Sequence, residues 1–213
     1  MAYLKANSYF GLAVESSYGV LPASGALYIP VTDPQVTPHQ VFLRDEALRG
    51  SPVQVYDQVQ GVRHDEYDAK FFLFCDTVPA IYRGVLGGTD TVSGTTYYTH
   101  LLKVLNNASV GSQPPSYSLL DFDGANWFTM TGARVASVST TFGAETAAEI
   151  VAKYIANPYT SYTAAPSPFG TLTYSGTADH MIPAWDTVIT VGGTTLGNIS
   201  SGEIMIDRKT API

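Results

Sequence analysis

The sequence predicts a mainly β domain of many short strands, with one α-helix near residues 76–86 lying against a sheet. Three observations predict it. Val, Ile, Thr, Tyr, Phe and Trp dominate, Gly or Pro punctuates the chain about every ten residues, and several segments alternate apolar with polar side chains. No heptad, repeat or compositional break divides the 213 residues, so a single domain over 1–213 is expected.

Taken in order, Thr32–Gly50 holds two prolines and few periodic apolar residues, and reads as a long loop. In 52–60, Val53, Val55 and Val59 alternate with Gln54, Tyr56 and Gln58, as in a strand. Asp76 is placed to cap a helix whose Val78, Ile81, Tyr82, Val85 and Leu86 fall on one stripe, and Gly87-Gly88 supplies its left-handed stop. Gly84, inside that helix, marks a close approach to a sheet. Tyr97–Leu105 is apolar on both faces, the pattern of a strand covered on two sides. Glu145–Ile155 satisfies both a helical stripe and a strand alternation. Asn157–Gly170, with three prolines amid Thr, Ser, Tyr and Ala, reads as a linker-like crossing. Trp185–Val191 alternates up to the turn pair Gly192-Gly193, and Glu203–Asp207 alternates again.

Charge restricts the function classes. Lys and Arg number 11 against 18 Asp and Glu, a formal charge of −7, and charged residues make up only 14%. No basic run could neutralise phosphates, which excludes a conventional nucleic-acid binder. So few charges point to a surface partly hidden in protein contacts, because interface cores are depleted of charge. The longest apolar run, Phe71–Cys75, is far too short to span a membrane, and the first residues lack the pattern of a signal peptide. Cys75 stands alone, so no intramolecular disulfide or thiolate zinc cage forms, and cytoplasmic folding is the default.

Chemistry-bearing motifs are sparse. The densest polar cluster is Arg63–Asp68, where His64, Glu66 and Asp68 would share a strand face as one imidazole and two carboxylates. That trio would suit a metal-dependent hydrolase, but an exposed strand face is the simpler expectation. His39, His100 and His180 have no neighbours at ligand spacing, and His100 reads as a core histidine. No G-x-S-x-G, phosphate-binding loop or G-x-G-x-x-G occurs, and Cys75 follows an aromatic run that suggests burial. Asp121 and Asp123 could be paired as in a glycosidase, yet Asp121–Asn126 reads as a turn. The sequons at Asn107 and Asn198 matter only in a secreted protein. Abundant Tyr, Phe and Trp would suit a carbohydrate- or receptor-binding sandwich, but core and interface packing explains them more economically. No catalytic, cofactor-binding or metal-binding residue is assigned, and no cofactor is expected.

The order of small motifs carries more than any one of them. The chain opens with Gly11-Leu-Ala-Val-Glu15-Ser-Ser-Tyr18-Gly19 and runs through Leu48-Arg49-Gly50-Ser51 and an extended Tyr56…Gly61 segment. The helix ending at Gly87 and the turn Asp90–Gly94 follow, then His100–Asn107 and Pro114-Pro115-Ser116-Tyr117-Ser118-Leu119. The close is Pro183-Ala184-Trp185, Gly192-Gly193 and Gly202–Lys209. This succession resembles the major tail tube proteins of long, non-contractile-tailed (siphovirus-type) bacteriophages, especially those infecting actinobacteria.

The resemblance covers about residues 10–210 and implies a β-sandwich or partial barrel with one flanking α-helix, and a structural virion protein rather than an enzyme. It implies homohexameric rings whose sheets join into an inner barrel, stacked into a tube that passes double-stranded DNA as cargo. Residues 1–10 as an N-terminal arm and the loop 32–50 would make ring-to-ring contacts. The partners implied are further copies of the chain and the tail tip, terminator and tape-measure proteins, with no membrane. The location implied is the virion tail, built in the host cytoplasm. The family pattern also favours a strand at 145–155. A head-decoration or tail-terminator protein is the nearest alternative.

Overall fold

Residues 127–143 are rich in Thr, Ser and Val and carry no helical stripe, and they form the longest strand of the protein. The computed structural model describes residues 7–50, 52–88, 90–95, 98–104, 113–143, 145–174, 181, 183, 188–196 and 201–210. Among them the strands are β1 (Tyr9–Val14), β2 (Ala26–Ile29), β3 (Asp33–Asp45), β4 (Asp57–Phe72), β5 (Thr91–Ser93), β6 (Thr99–Leu101) and β7 (Tyr117–Phe122). They continue with β8 (Trp127–Gly143), β9 (Glu149–Ala156), β10 (Thr160–Tyr162), β11 (Ile189–Val191), β12 (Thr194–Leu196) and β13 (Ser201–Asp207). One helix, α1, spans Val78–Leu86.

β8 organises the rest. Its first half pairs with β7 and β10, and its second half with β9 and β13, all antiparallel. Register shifts between Tyr117 and Leu119 and between Val135 and Ser137 bend it where the two halves meet. The main path runs β2-β1-β7-β8-β9-β4-β3 and is open, with β2 and β3 at its ends. Its two wings nevertheless face one another across one core. Phe10 of β1 stacks on Tyr67 of β4 with ring centroids 5.2 Å apart.

Period-2 patterning explains the core. Asp65, Tyr67, Ala69 and Phe71 of β4 are buried, as are Ile150, Ala152, Tyr154 and Ala156 of β9. Glu145–Ile155 is thus resolved as a strand over its second half, held between β8 and β4. A helix would have left both neighbours without a ladder, so pairing overrides local propensity.

The helix is placed as its stripe requires. Ile81, Gly84 and Val85 are buried, Pro79 occupies the first turn, and Gly87 ends it at φ 83° while donating its N–H to Arg83 O at 2.8 Å. A β-carbon at position 84 would fall 2.5 Å from Val135 Cγ2 and 2.9 Å from Tyr117 Cε2, so glycine allows α1 to lie on β8. Tyr117 Oη donates to Ala80 O at 2.8 Å and Tyr82 Oη bonds Thr140 Oγ1 at 2.6 Å, fixing the helix to the sheet. The capping residue is Thr77, not Asp76, and its hydroxyl donates to Phe74 O instead of accepting from the helix.

Several expectations need correction. The long loop at 32–50 is mostly strand β3, paired with β4 from Asp33 to Asp45. In 52–60 regular strand begins only at Asp57. The doubly covered strand expected at Tyr97–Leu105 is not seen among its described residues, 98–104: β6 is three exposed residues paired to β5. The crossing at 157–170 is packed down, since Thr160–Tyr162 pairs with β8 and Phe169 is fully buried against Gly11 and Tyr28. An N-terminal arm cannot extend to residue 10, because Tyr9 and Phe10 already belong to β1; residues 1–6 lie outside the described set. Gly192 and Gly193 do form the turn between β11 and β12, at φ 58° and 82°.

Candidate assembly surface

The hairpin of β3 and β4 outruns the sheet that carries it. β9 pairs with β4 only from Asp65 to Phe72, whereas β3 stays paired down to Asp57. Residues 39–45 and 57–64 therefore stand out as a two-stranded ribbon. Its tip is organised: Asp45 Oδ1 accepts from Ala47 N at 3.1 Å, Arg49 pairs with Asp45, and the Arg49 guanidinium lies 4.7 Å from the Tyr56 ring centre. A bulge falls between Gln40 and Phe42, beside Gly61.

The ribbon is apolar without a core behind it. Val41, Phe42, Leu43, Val59 and Val62 are exposed, as are Leu48, Val53 and Val55 near the tip, with Leu48 fully open. Leu43 and Val59 are direct cross-strand partners. A lone two-stranded hairpin is marginal in water, and contiguous exposed apolar surface marks a contact site.

The second feature is an open polar face. In the wing ordered β13-β8-β9-β4-β3, alternation turns the buried residues toward α1 and the others outward. The outward set includes acidic Asp33, Glu66, Asp68, Glu149, Glu203 and Asp207 against Lys70, Lys153 and Arg134, none of them buried. Ion pairs confirm the register: Lys70 Nζ to Glu149 Oε2 at 2.9 Å and Lys153 Nζ to Asp68 Oδ2 at 3.5 Å. Ser139 Oγ also donates to Glu203 Oε1 at 2.6 Å. Among the described strands, β3 and β13 border this wing, and none pairs with their outer edges.

Asp121 holds a carboxyl raised above its ordinary value. It borders a cavity of about 320 Å³ lined also by Val36, Pro38, Phe128 and Tyr159, and accepts from Tyr67 Oη at 3.3 Å. Burial pushes its carboxyl up to about 6, Asp123 adds to the rise, and the Tyr67 bond opposes it. Since the folded value lies above the unfolded one, the fold favours the protonated acid. Its stabilising contribution is full below about pH 4 and lost as pH rises through about 6. Asp121→Asn is therefore expected to gain stability relative to wild type as pH goes from 4 to 7, read from urea midpoints across that range. A constant difference would contradict it.

The other candidates are dispersed. His64 and Glu66 do share a face, but Asp68 is engaged by Lys153, and the third neighbour is His39, across the hairpin. His100 is not a core residue; its Nδ1 lies 2.7 Å from Asp90 Oδ2 at the surface. Cys75 is exposed rather than buried. Asp123 builds the expected turn, its Oδ1 accepting from Ala125 N and Asn126 N, both at 2.8 Å. Many aromatics are accounted for by packing, with Tyr67, Tyr117 and Tyr154 buried and Trp127 stacked on Phe122. His180, Trp185 and both sequons lie outside the described residues. No described helix is long and apolar enough to cross a membrane.

Solved structures with a similar course of chain include the SPP1 tail tube (TM-score 0.47, 12% identity, covering 86% of this chain and 100% of that one). The anti-feeding prophage tube-terminating cap has TM-score 0.41 and 14% identity, covering 77% and 94%. The extended sheath–tube complex of the PVC extracellular contractile injection system has TM-score 0.35 and 9% identity, covering 72% and 88%. No curated protein matches the chain. Residues 5–212 match the family described as phage tail tube protein, which spans nearly the whole chain, and the protein is a member of that family.

Proposed function

We propose that the chain acts as one tail-tube domain over 1–213, forming homohexameric rings that stack into the tube of a long, non-contractile phage tail. The observation that carries this reading is the apolar ribbon projecting beside an uncovered, net acidic sheet face. In the ring, the β13 edge of one copy pairs with the β3 edge of the next, so both open borders are satisfied. The polar face then bounds the bore, and the ribbon reaches the adjacent ring, where its valines, Phe42 and Leu43 leave water.

An acidic lining repels phosphates and lets double-stranded DNA pass without adhering. Tail tip, terminator and tape-measure proteins are the remaining partners, and assembly takes place in the host cytoplasm. The assignment to an actinobacterial host rests on the succession of sequence motifs alone.

Negative-stain microscopy of the concentrated, purified chain tests the reading. Rings or tubes are the expected result. A monomer at every concentration and salt tried would overturn it, and closed rings that never stack would favour a terminator.

A further inference from the structure

Two imidazoles and a carboxylate meet at the root of the ribbon, where β3 and β4 leave the sheet. His39 and His64 are direct cross-strand partners whose rings lie 5.0 Å apart and nearly parallel. Glu66 sits two residues further along β4 on the same face, its Oε2 3.5 Å from His39 Nε2. One ligand atom from each residue lies within 4.8 Å of the other two. His39 Nε2 is also closed off from water and makes no hydrogen bond. An enclosed nitrogen left unpaired is costly unless something fills its valence.

We propose that His39, His64 and Glu66 bind one divalent transition-metal ion of the zinc, cobalt or nickel kind. Two imidazoles with one carboxylate suit these ions, whereas magnesium and calcium prefer all-oxygen sites. Opposed residues on a hairpin place their β-carbons about 4.5–5.5 Å apart, which lets two imidazoles reach one ion. Metal–nitrogen bonds of about 2.0–2.1 Å need the ligand atoms closer than they now stand. Side-chain rotation that turns the rings out of parallel brings the lone pairs together. Three protein ligands leave a position open for water.

The ion ties the two strands together where the ribbon loses support from β9. It binds the folded hairpin and not the unfolded chain, so it stabilises the ribbon by mass action. This inference goes beyond the tube reading and holds whether or not the chain assembles.

The test uses the full chain carrying Cys75→Ser, so that no thiolate competes, under conditions where it does not assemble. Titration with Co²⁺, followed by its visible absorption, should saturate at one ion per chain, and Zn²⁺ should displace it. His39→Ala and His64→Ala should each weaken binding by more than the roughly 10–100-fold that loss of an outer-sphere partner causes. His100→Ala should leave it unchanged. A second readout needs no ligand variant: Co²⁺ should shift the ring protons of two histidines in the proton spectrum. Absence of saturation up to about 1 mM Co²⁺, binding indifferent to both His39 and His64, or shifts confined to another histidine would each overturn the proposal.

Discussion

Leu43→Lys combined with Val59→Glu is expected to abolish tube formation at concentrations where the wild type assembles, while leaving the fold intact. These side chains oppose each other on the ribbon, both more than half exposed. Opposite charges on direct cross-strand partners attract, so the ribbon keeps its pairing, and exposed substitutions of this kind change stability by about 0.5 kcal/mol or less. Burying a Val or Leu side chain in a contact contributes roughly 1.5–3 kcal/mol. If the ribbon makes the proposed ring-to-ring contact, losing two such side chains from each contact raises the concentration needed for assembly at least about a hundredfold. Sedimentation of the assembled fraction against concentration measures this, with circular dichroism to verify the fold. Unchanged assembly would show that the ribbon is not the contact.

The second large effect is on stability, at Glu15. Its carboxylate is buried just beyond β1, where Oε1 accepts from Ser118 Oγ and Gly132 N, both at 2.7 Å, and Oε2 accepts from Gly19 N at 2.8 Å. Gly132 and Gly19 are held at φ 65° and 73°, beside the irregular pairing of β7 with β8. One side chain thereby satisfies the donors that a turn and a strand irregularity would otherwise strand. Glu15→Ala leaves two backbone N–H groups and a hydroxyl unpaired, and is expected to cost about 3–5 kcal/mol. That is a large fraction of a domain's usual 5–15 kcal/mol. Urea unfolding of unassembled protein measures it, with Glu15→Gln falling between, since the amide keeps one acceptor but turns a donor toward an N–H. A loss under about 1 kcal/mol would contradict the clamp.

What was legible in the sequence follows from how local each signal is. The helix could be read because its stripe, its internal Gly84 and its closing Gly87 all obey rules that reach no further than one turn. The turns at Gly124 and at Gly192-Gly193 were legible for the same reason. β3 is hidden in the sequence by Pro34 and Pro38, which argue against a strand in the interior of a sheet. β3 lies at the edge, where a missing N–H need not break a ladder. The β5–β6 hairpin misled in the opposite way, since periodicity cannot distinguish residues facing a core from apolar residues left exposed on one chain.

The candidate sites divide along the same line. The acidic balance and low charge were visible, but which face carries the acids depends on register between strands far apart in sequence. His39 is not legible as a neighbour of His64 and Glu66 because a hairpin, not proximity along the chain, brings them together. In the sequence, the Gly11–Gly19 motif carries meaning only as part of a resemblance. Its physical reason, a glutamate that pins Gly19 and Gly132, emerged only with the fold.

A cryo-electron-microscopy reconstruction of tubes grown from the purified chain, at a resolution that traces strands, shows which face meets the lumen. The expected lumen is bounded by the β13-β8-β9-β4-β3 face, with Glu66, Asp68, Glu149 and Glu203 toward the axis and the hairpin of β3 and β4 seated on the next ring. A lumen lined instead by α1, with that acidic face on the outer wall and the ribbon free in solvent, would contradict it.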